Sequence, residues 1–212
     1  MGKWRIFSYR RSILKEIVMK KIPTLFEREY DGHRKVGIKP ELSDPSLQWV
    51  LDGEGEATLK LDGACCAILD GKFYRRYDAK KGKQPPEGAI PCCHPDPVTG
   101  HWPHWVPVKE DDPDSKWYIE ALKHTGHELE DGTYEVIGPH FQGNPYNMTL
   151  DVLVRHGDVR LVVDRSFEGL RHYLEETPIE GIVFWKDGEP QCKIKRSDFG
   201  FEWPVNGQKY WG

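Results

Sequence analysis

Two Asp-Gly pairs, each between two short runs of β-forming residues, constrain the fold of this chain more than any other feature. Such a pair at a two-residue turn is typical of a tight β-hairpin, because both turn residues need positive φ. The first pair, Asp70-Gly71, lies between the runs 65–69 and 72–77, and the second lies in the turn 186–189 between 179–185 and 191–195. We therefore predict two antiparallel hairpins far apart in the sequence.

The other segments favour short elements rather than long ones. We predict strands over 56–60 and 133–137, and helices over 8–21, 117–129 and 166–176, the last with Ser166 as its N-cap. Residues 82–116, rich in proline, glycine and acids, are predicted to form a long surface loop or insertion. With 21 Gly, 16 Pro and no βαβ rhythm, the chain favours an α+β domain with mainly antiparallel sheets over a helical bundle.

Several classes of protein are excluded by simple patterns. No run of eighteen apolar residues is present, and no apolar leader opens the chain. The cysteines number five, and two pairs of them are adjacent, Cys65-Cys66 and Cys92-Cys93, which does not suit a disulfide framework. We expect a reduced, cytoplasmic monomer that does not bind membranes.

The charge is distributed unevenly along the chain. Residues 1–40 hold eleven Lys or Arg and four Asp or Glu, although the whole chain carries a net charge of −4. A basic arm on an acidic body suits a contact with nucleic acid, and a solvated surface helix explains the same pattern equally well. We predict a basic extension or helix over 1–21, followed by one domain over 22–212.

Lysines and carboxylates on the predicted strands indicate a site for phosphate chemistry. Lys193 and Lys195 alternate on one strand and so share a face, where two ammonium groups repel each other unless an anion lies between them. A third lysine nearby, at Lys60, has its ammonium form disfavoured by like charge and becomes a nucleophile. Glu135 and Glu180 can then hold a metal ion or a sugar hydroxyl.

These residues stand in a known order of motifs. Lys60-Leu-Asp-Gly63 resembles motif I of the covalent nucleotidyltransferases, which include DNA ligases, RNA ligases and mRNA capping enzymes. Arg75 or Arg76 resembles motif Ia, and Thr133-Tyr-Glu135 resembles motif III. Glu180-Gly-Ile-Val183 and Lys193-Ile-Lys195 resemble motifs IV and V. K-x-D-G alone recurs by chance, whereas several motifs in order are specific.

Longer segments narrow the resemblance to ATP-dependent 5′–3′ RNA ligases of the RNA ligase 1 type. It covers roughly residues 22–206 and is carried by four segments: 60–66, 102–108, 137–146 and 199–204. It implies a nucleotidyltransferase (ATP-grasp-like) domain of two mainly antiparallel sheets with flanking helices. Few residues follow Lys195, so we expect no C-terminal OB-fold, and with no NMN-binding domain before motif I we do not expect NAD dependence.

The resemblance also implies a reaction in three steps. Lys60 attacks the α-phosphate of ATP and forms lysyl-AMP, and the AMP then moves to an RNA 5′-phosphate. The 3′-hydroxyl of another RNA end displaces the AMP. In this scheme Asp62 and Gly63 fix the turn that presents Lys60.

Roles for the remaining motif residues follow from the same resemblance. Lys193 and Lys195 contact the α-phosphate. Glu135 binds the ribose hydroxyls, and Glu180, with Glu135 as the second carboxylate, organises Mg²⁺, for which Mn²⁺ is an alternative. Arg75 or Arg76 contacts the nucleotide or the RNA 5′-phosphate.

Other interpretations remain open at this point. Leu153 and His156 are candidates for stacking on adenine from position alone, and the segment 141–146 is either a loop against the nucleotide pocket or a plain turn. Cys92-Cys93-His94 with His101 and His104 matches no common zinc spacing. The rival functions are a compact DNA ligase, a capping guanylyltransferase, and an RNA-binding module of the same fold without turnover.

Overall fold

The structure, a computed structural model, describes residues 21–80, 82–126 and 129–206. Its strands are β1 (Phe26–Asp31), β2 (Arg34–Leu42), β3 (Glu56–Lys60), β4 (Ala64–Leu69), β5 (Lys72–Ala79), β6 (Ile90–Pro91), β7 (Trp102–Pro107), β8 (Gly132–Ile137), β9 (Val152–Arg155), β10 (Gly181–Lys186) and β11 (Glu189–Lys195). Its helices are α1 (Gln48–Leu51), α2 (Lys116–Thr125) and α3 (Phe167–Glu176). The helix predicted over 8–21 lies outside the described residues.

The strands form antiparallel sheets, which confirms the predicted α+β class. A three-stranded sheet has the order β11-β10-β3, and a six-stranded sheet has the order β6-β7-β5-β4-β8-β9. The described residues also contain a third sheet, β1-β2, whereas two sheets were predicted. Its strands were missed because polar and charged residues dominate both of them.

Both predicted hairpins are confirmed, together with their turns. Asp70 and Gly71 between β4 and β5 have φ values of 49° and 69°, and Asp187 and Gly188 between β10 and β11 have φ values of 55° and 76°. Positive φ at both positions matches the right-handed twist of the flanking strands.

Two of the predicted helices are also confirmed. The Ser166 hydroxyl accepts a hydrogen bond from the Gly169 N–H at 3.0 Å and caps α3 as predicted. Helix α2 ends at Gly126, which has a left-handed φ of 70°. No helix in the described part of the chain is long and apolar enough to span a membrane.

The prediction of one long loop over 82–116 is wrong. Strand β7 pairs with β5 along its whole length, and its His104 and Trp105 are buried. Pro103 and Pro107 argued against a strand, because proline cannot donate a ladder hydrogen bond. Strand β7 tolerates these two prolines because few hydrogen bonds are needed on its β6 side. Strand β6 is only two residues long and pairs with Trp105 and His104 alone.

The main core lies against one face of the three-stranded sheet. Alternate residues of β3, β10 and β11 point into it and are buried: Ala57, Leu59, Ile182, Phe184, Cys192 and Ile194. Helix α3 adds Leu170 and Leu174 to this cluster. Because strand side chains alternate, the opposite face of the same sheet receives the polar residues.

Candidate active site

That polar face carries three lysines. The register places Lys60 of β3 and Lys195 of β11 on either side of Gly181. Two residues further along β10, Val183 lies opposite Lys193. The shared face predicted for Lys193 and Lys195 therefore includes Lys60. A Cβ on Gly181 would lie 2.3 Å from the Ile194 carbonyl oxygen, so only glycine fits between the two outer strands at this point.

Glu180, just before β10, lies among these lysines. One of its carboxylate oxygens is 2.5 Å from the Lys60 Nζ, and the other is 4.0 Å from the Lys195 Nζ. Burial raises the pKa of Glu180, an effect that Lys60 opposes and Asp62 reinforces. The carboxylate is thus paired with the nucleophile candidate and is also a better base than an exposed glutamate.

The pKa of Lys193 is shifted in the opposite direction, downward. Burial, followed by the like charges of Lys60 and Lys195, lowers the pKa of Lys193 to about 8. Arg28 of β1 contributes to the same effect. Among the described residues, no group accepts a hydrogen bond from the buried Nε of Arg28. Three lysines thus gather around one carboxylate, with Arg28 acting on one of them, and this excess of positive charge fits an anionic ligand such as a chain of phosphates.

The turn after Lys60 is held by two aromatic residues distant in the sequence. The Asp62 N–H donates to the Tyr146 hydroxyl at 2.7 Å, and the Trp203 indole N–H donates to the Asp62 carboxylate at 2.8 Å. The Gln142 amide donates to the Gly63 carbonyl at 3.1 Å. The segment 141–146 therefore lies against the Lys60 turn.

Gly63 connects this turn to Glu135 of β8. The Gly63 N–H donates to one Glu135 oxygen at 3.0 Å, and a Cβ at Gly63 would lie 2.1 Å from the Val136 carbonyl oxygen. The other Glu135 oxygen is 2.9 Å from the Nε2 of His156. The Nδ1 of the same imidazole is 2.9 Å from the Thr133 hydroxyl. Because a carboxylate only accepts, His156 donates through Nε2 and can accept from Thr133.

The two candidate arginines of β5 lie on opposite faces of the six-stranded sheet. Arg75 is paired with Cys66, and its guanidinium contacts Asp112 and Asp114 at 3.3 Å each. Arg76 shares the face of Cys65 and Glu135. Both residues act on the Cys65 thiol: burial and then Glu135 raise the pKa of this thiol, whereas Arg76 lowers it. The geometry brings Arg76, and not Arg75, to the side of Glu135.

The candidates for adenine stacking are placed differently from each other. Leu153 is 6% exposed and packs in a core cluster with α2, so it is not available to a ligand. His156 is engaged with Glu135 and Thr133. The structure leaves the adenine contact unassigned.

The described residues of this site offer few protein ligands for a metal ion. Across the described ranges, no three His, Cys, Asp or Glu side chains converge into a metal cluster. Mg²⁺ in nucleotide sites is commonly held by one or two carboxylates, waters and the substrate phosphates. Two carboxylates lie beside the Lys60–Gly63 turn: Glu180 contacts the Lys60 Nζ, and Glu135 accepts from the Gly63 N–H.

Comparisons with known proteins find similarity to RNA ligase 1. The family model described as RNA ligase 1 matches residues 124–210, which include Glu135, Glu180, Lys193 and Lys195. RNA ligase 1 of Pongo abelii is 25% identical over 224 residues, covering 70% of this chain and 68% of that protein. RNA ligase 1 of Danio rerio is 30% identical over 146 residues, covering 53% of this chain and 45% of that protein. RNA ligase 1 of Rattus norvegicus is 27% identical, with coverages of 70% and 68%.

Proposed function

We propose that this chain, whose family-model match and relatives are of the RNA ligase 1 type, is an ATP-dependent 5′–3′ RNA ligase acting through lysyl-AMP. One observation carries the proposal: Lys60, Lys193 and Lys195 share one sheet face, and Glu180 lies 2.5 Å from the Lys60 Nζ. A nucleophilic amine beside a base and two further cations is the arrangement that attack on a phosphate requires.

The first step uses the Lys60–Glu180 pair. Glu180 accepts a proton from the Lys60 ammonium, and the freed Nζ attacks the α-phosphorus of ATP. The N–P bond forms as the bond to the bridging oxygen breaks, and pyrophosphate leaves with the electron pair. Burial favours the protonated carboxyl of Glu180, which helps it to accept this proton.

Charge on the phosphates is balanced by the surrounding cations. Lys193 and Lys195 face the α-phosphate in this scheme, and Arg28 adds positive charge from β1. In its ionised form Glu180, with Glu135 as second carboxylate, would hold Mg²⁺, and the ion would supply positive charge for the phosphates. Glu135 is held by Gly63 and His156 in a fixed position from which it can also accept hydrogen bonds from ribose hydroxyls.

The later steps pass the adenylate through the same site. The RNA 5′-phosphate attacks the phosphorus of lysyl-AMP, and Lys60 regains its amine. The RNA 3′-hydroxyl then attacks the adenylated 5′-phosphate, AMP leaves, and a phosphodiester forms. Arg76, on the Glu135 side of the sheet, is the arginine that we assign to the nucleotide or the 5′-phosphate.

The proposal is tested by ligation assays with defined ends. Wild-type protein with ATP and Mg²⁺ should join RNA carrying 5′-phosphate and 3′-hydroxyl ends, and Lys60→Ala should not. Lys60→Ala should still join pre-adenylated RNA, because that substrate enters after lysyl-AMP has been used. Equal activity on a 3′-terminal deoxynucleotide would favour a DNA ligase, and RNA binding without joining would favour the binding module.

A further inference from the structure

A stacked pair of rings lies where helix α2 meets the segment after β8, outside the candidate active site. The indole of Trp117 on α2 and the imidazole of His140 are parallel within 9°, with ring centroids 3.3 Å apart. The Lys116 ammonium lies 4.2 Å from the centroid of the Trp117 ring. Trp117 is 36% exposed, and the His140 side chain is 39% exposed. An exposed aromatic stack with a cation is the chemistry that binds nucleobases next to phosphates.

His140 is locked in the orientation that makes the stack. The buried Asp151 carboxylate is 2.6 Å from the His140 Nδ1, and its second oxygen accepts from the His140 backbone N–H at 3.1 Å. The Asp151 carbonyl also contacts His124 at 3.1 Å. Because these bonds fix the ring before any ligand arrives, little side-chain entropy is lost when a base stacks on it.

A small cavity lies beside the stacked rings. Its volume is about 210 Å³, and its lining includes Lys116, Trp117, His140, Leu150 and Asp151. Pockets for drug-sized ligands commonly measure about 300–1,000 Å³, so this one suits a single planar group. Glu120 also lines it, but its carboxylate is paired with Lys123 at 3.2 Å.

The stack is connected directly to the Lys60 turn. Gln142, which donates to the Gly63 carbonyl at 3.1 Å, is two residues beyond His140. Two residues span at most about 7 Å of chain. The stack and the Lys60 turn are therefore linked by a short piece of chain.

We propose that Trp117, His140 and Lys116 form a contact site for one nucleotide of the RNA substrate. The base stacks with the ring pair, and Lys116 faces the backbone phosphate. This inference deepens the proposed ligase function and rests on it for the identity of the substrate. RNA is favoured over a peptide because the site combines parallel, half-exposed aromatic rings with a cation.

The test measures binding of a short, fluorescently labelled, 5′-phosphorylated single-stranded RNA by anisotropy, with self-adenylation by ATP measured on the same protein samples. Trp117→Ala and His140→Ala should each weaken RNA binding about fivefold or more, the loss expected for one stacked base. Self-adenylation should stay within twofold of wild type. Tyr30→Ala, which removes an aromatic side chain 54% exposed on β1, is the matched control and should bind RNA normally.

A salt titration adds a second readout. Lys116→Ala should reduce the slope of log affinity against log salt by about 0.7, the value for one phosphate contact on a single strand. Unchanged RNA affinity in Trp117→Ala and His140→Ala would overturn the proposal. An equal loss of self-adenylation and RNA binding would also overturn it, since the stack would then only support the fold. RNA binding that depends on Trp117 in a protein without self-adenylation would support this site and contradict the ligase proposal.

Discussion

The indole N–H of Trp203 donates a 2.8 Å hydrogen bond to the carboxylate of Asp62, two residues after the Lys60 nucleophile candidate. The Tyr146 hydroxyl accepts from the N–H of the same aspartate at 2.7 Å. The turn that presents Lys60 is therefore held from two directions by segments far along the chain. Such positioning matters because small displacements of a nucleophile cost large factors in rate.

Trp203→Phe should slow self-adenylation by about tenfold or more and lower the free energy of unfolding by about 1–2 kcal/mol, because it removes a hydrogen bond to a charged group. Trp102→Phe is the matched control. It also removes one indole hydrogen bond, from Trp102 to the Cys93 carbonyl at 2.8 Å, but away from Lys60. Single-turnover adenylation rates that fell equally in both variants would contradict the positioning role.

Arg76 and Arg75 offer a comparison between neighbours on one strand. Arg76→Ala should lower ligation by about tenfold or more, because it removes a cation from the side of Glu135. Arg75→Ala should lower thermal stability, since its guanidinium contacts Asp112 and Asp114, but should leave ligation within twofold. Ligation rates at saturating ATP and RNA, measured beside the melting temperature, separate the two. The reverse result would move the motif Ia assignment to Arg75.

His156 is expected to act through Glu135. His156→Ala frees one oxygen of the Glu135 carboxylate, which should weaken its hold on ribose hydroxyls and reduce the preference for ATP over 2′-deoxy-ATP. The ratio of kcat/KM for the two nucleotides in self-adenylation measures this preference. His156→Gln, which keeps a donor near Glu135, should restore part of it. A ratio that stays at the wild-type value in His156→Ala would contradict the role.

The lowered pKa of Lys193 predicts that the affinity for AMP depends on pH. Because burial and the neighbouring lysines lower the pKa of Lys193 to about 8, it loses its charge as the pH rises through that value. The second pKa of a phosphate is about 6, so AMP stays doubly charged in this range. The affinity of adduct-free protein for AMP should therefore fall severalfold between about pH 7 and pH 9. Lys193→Arg, charged throughout, should flatten the profile, and an unchanged slope would contradict the assignment.

The same shift has a consequence for stability with a definite sign. The pKa of Lys193 is about 8 in the folded protein, whereas the ordinary value for a lysine is 10.5. Between these two pH values Lys193 is therefore protonated in the unfolded chain and largely neutral in the folded protein. Stability of the ligand-free protein from this group therefore rises as the pH rises through that window.

Local patterns predicted the hairpins and the lysine face well. Asp-Gly turns and strand alternation depend on neighbours in the sequence, and they placed β4–β5, β10–β11 and the shared face of Lys193 and Lys195 correctly. Strand β7 was missed because Pro103 and Pro107 oppose strand formation locally, whereas pairing with β5 overrides that preference.

Long-range contacts were beyond the reach of such patterns. Nothing near Trp203 or Arg28 in the sequence indicates that these side chains approach the Lys60 turn and Lys193. The choice between Arg75 and Arg76 depended on the register of β5 against β4, and a shift of one residue would have exchanged their faces.

The most direct measurement is the intact mass of the purified, adduct-free protein after incubation with ATP and Mg²⁺, for wild type and Lys60→Ala. We expect a gain of one AMP in wild type, located on Lys60 by peptide mapping, and no gain in Lys60→Ala. A folded wild-type protein that gained no nucleotide from ATP, or one that carried the AMP on another residue, would contradict it.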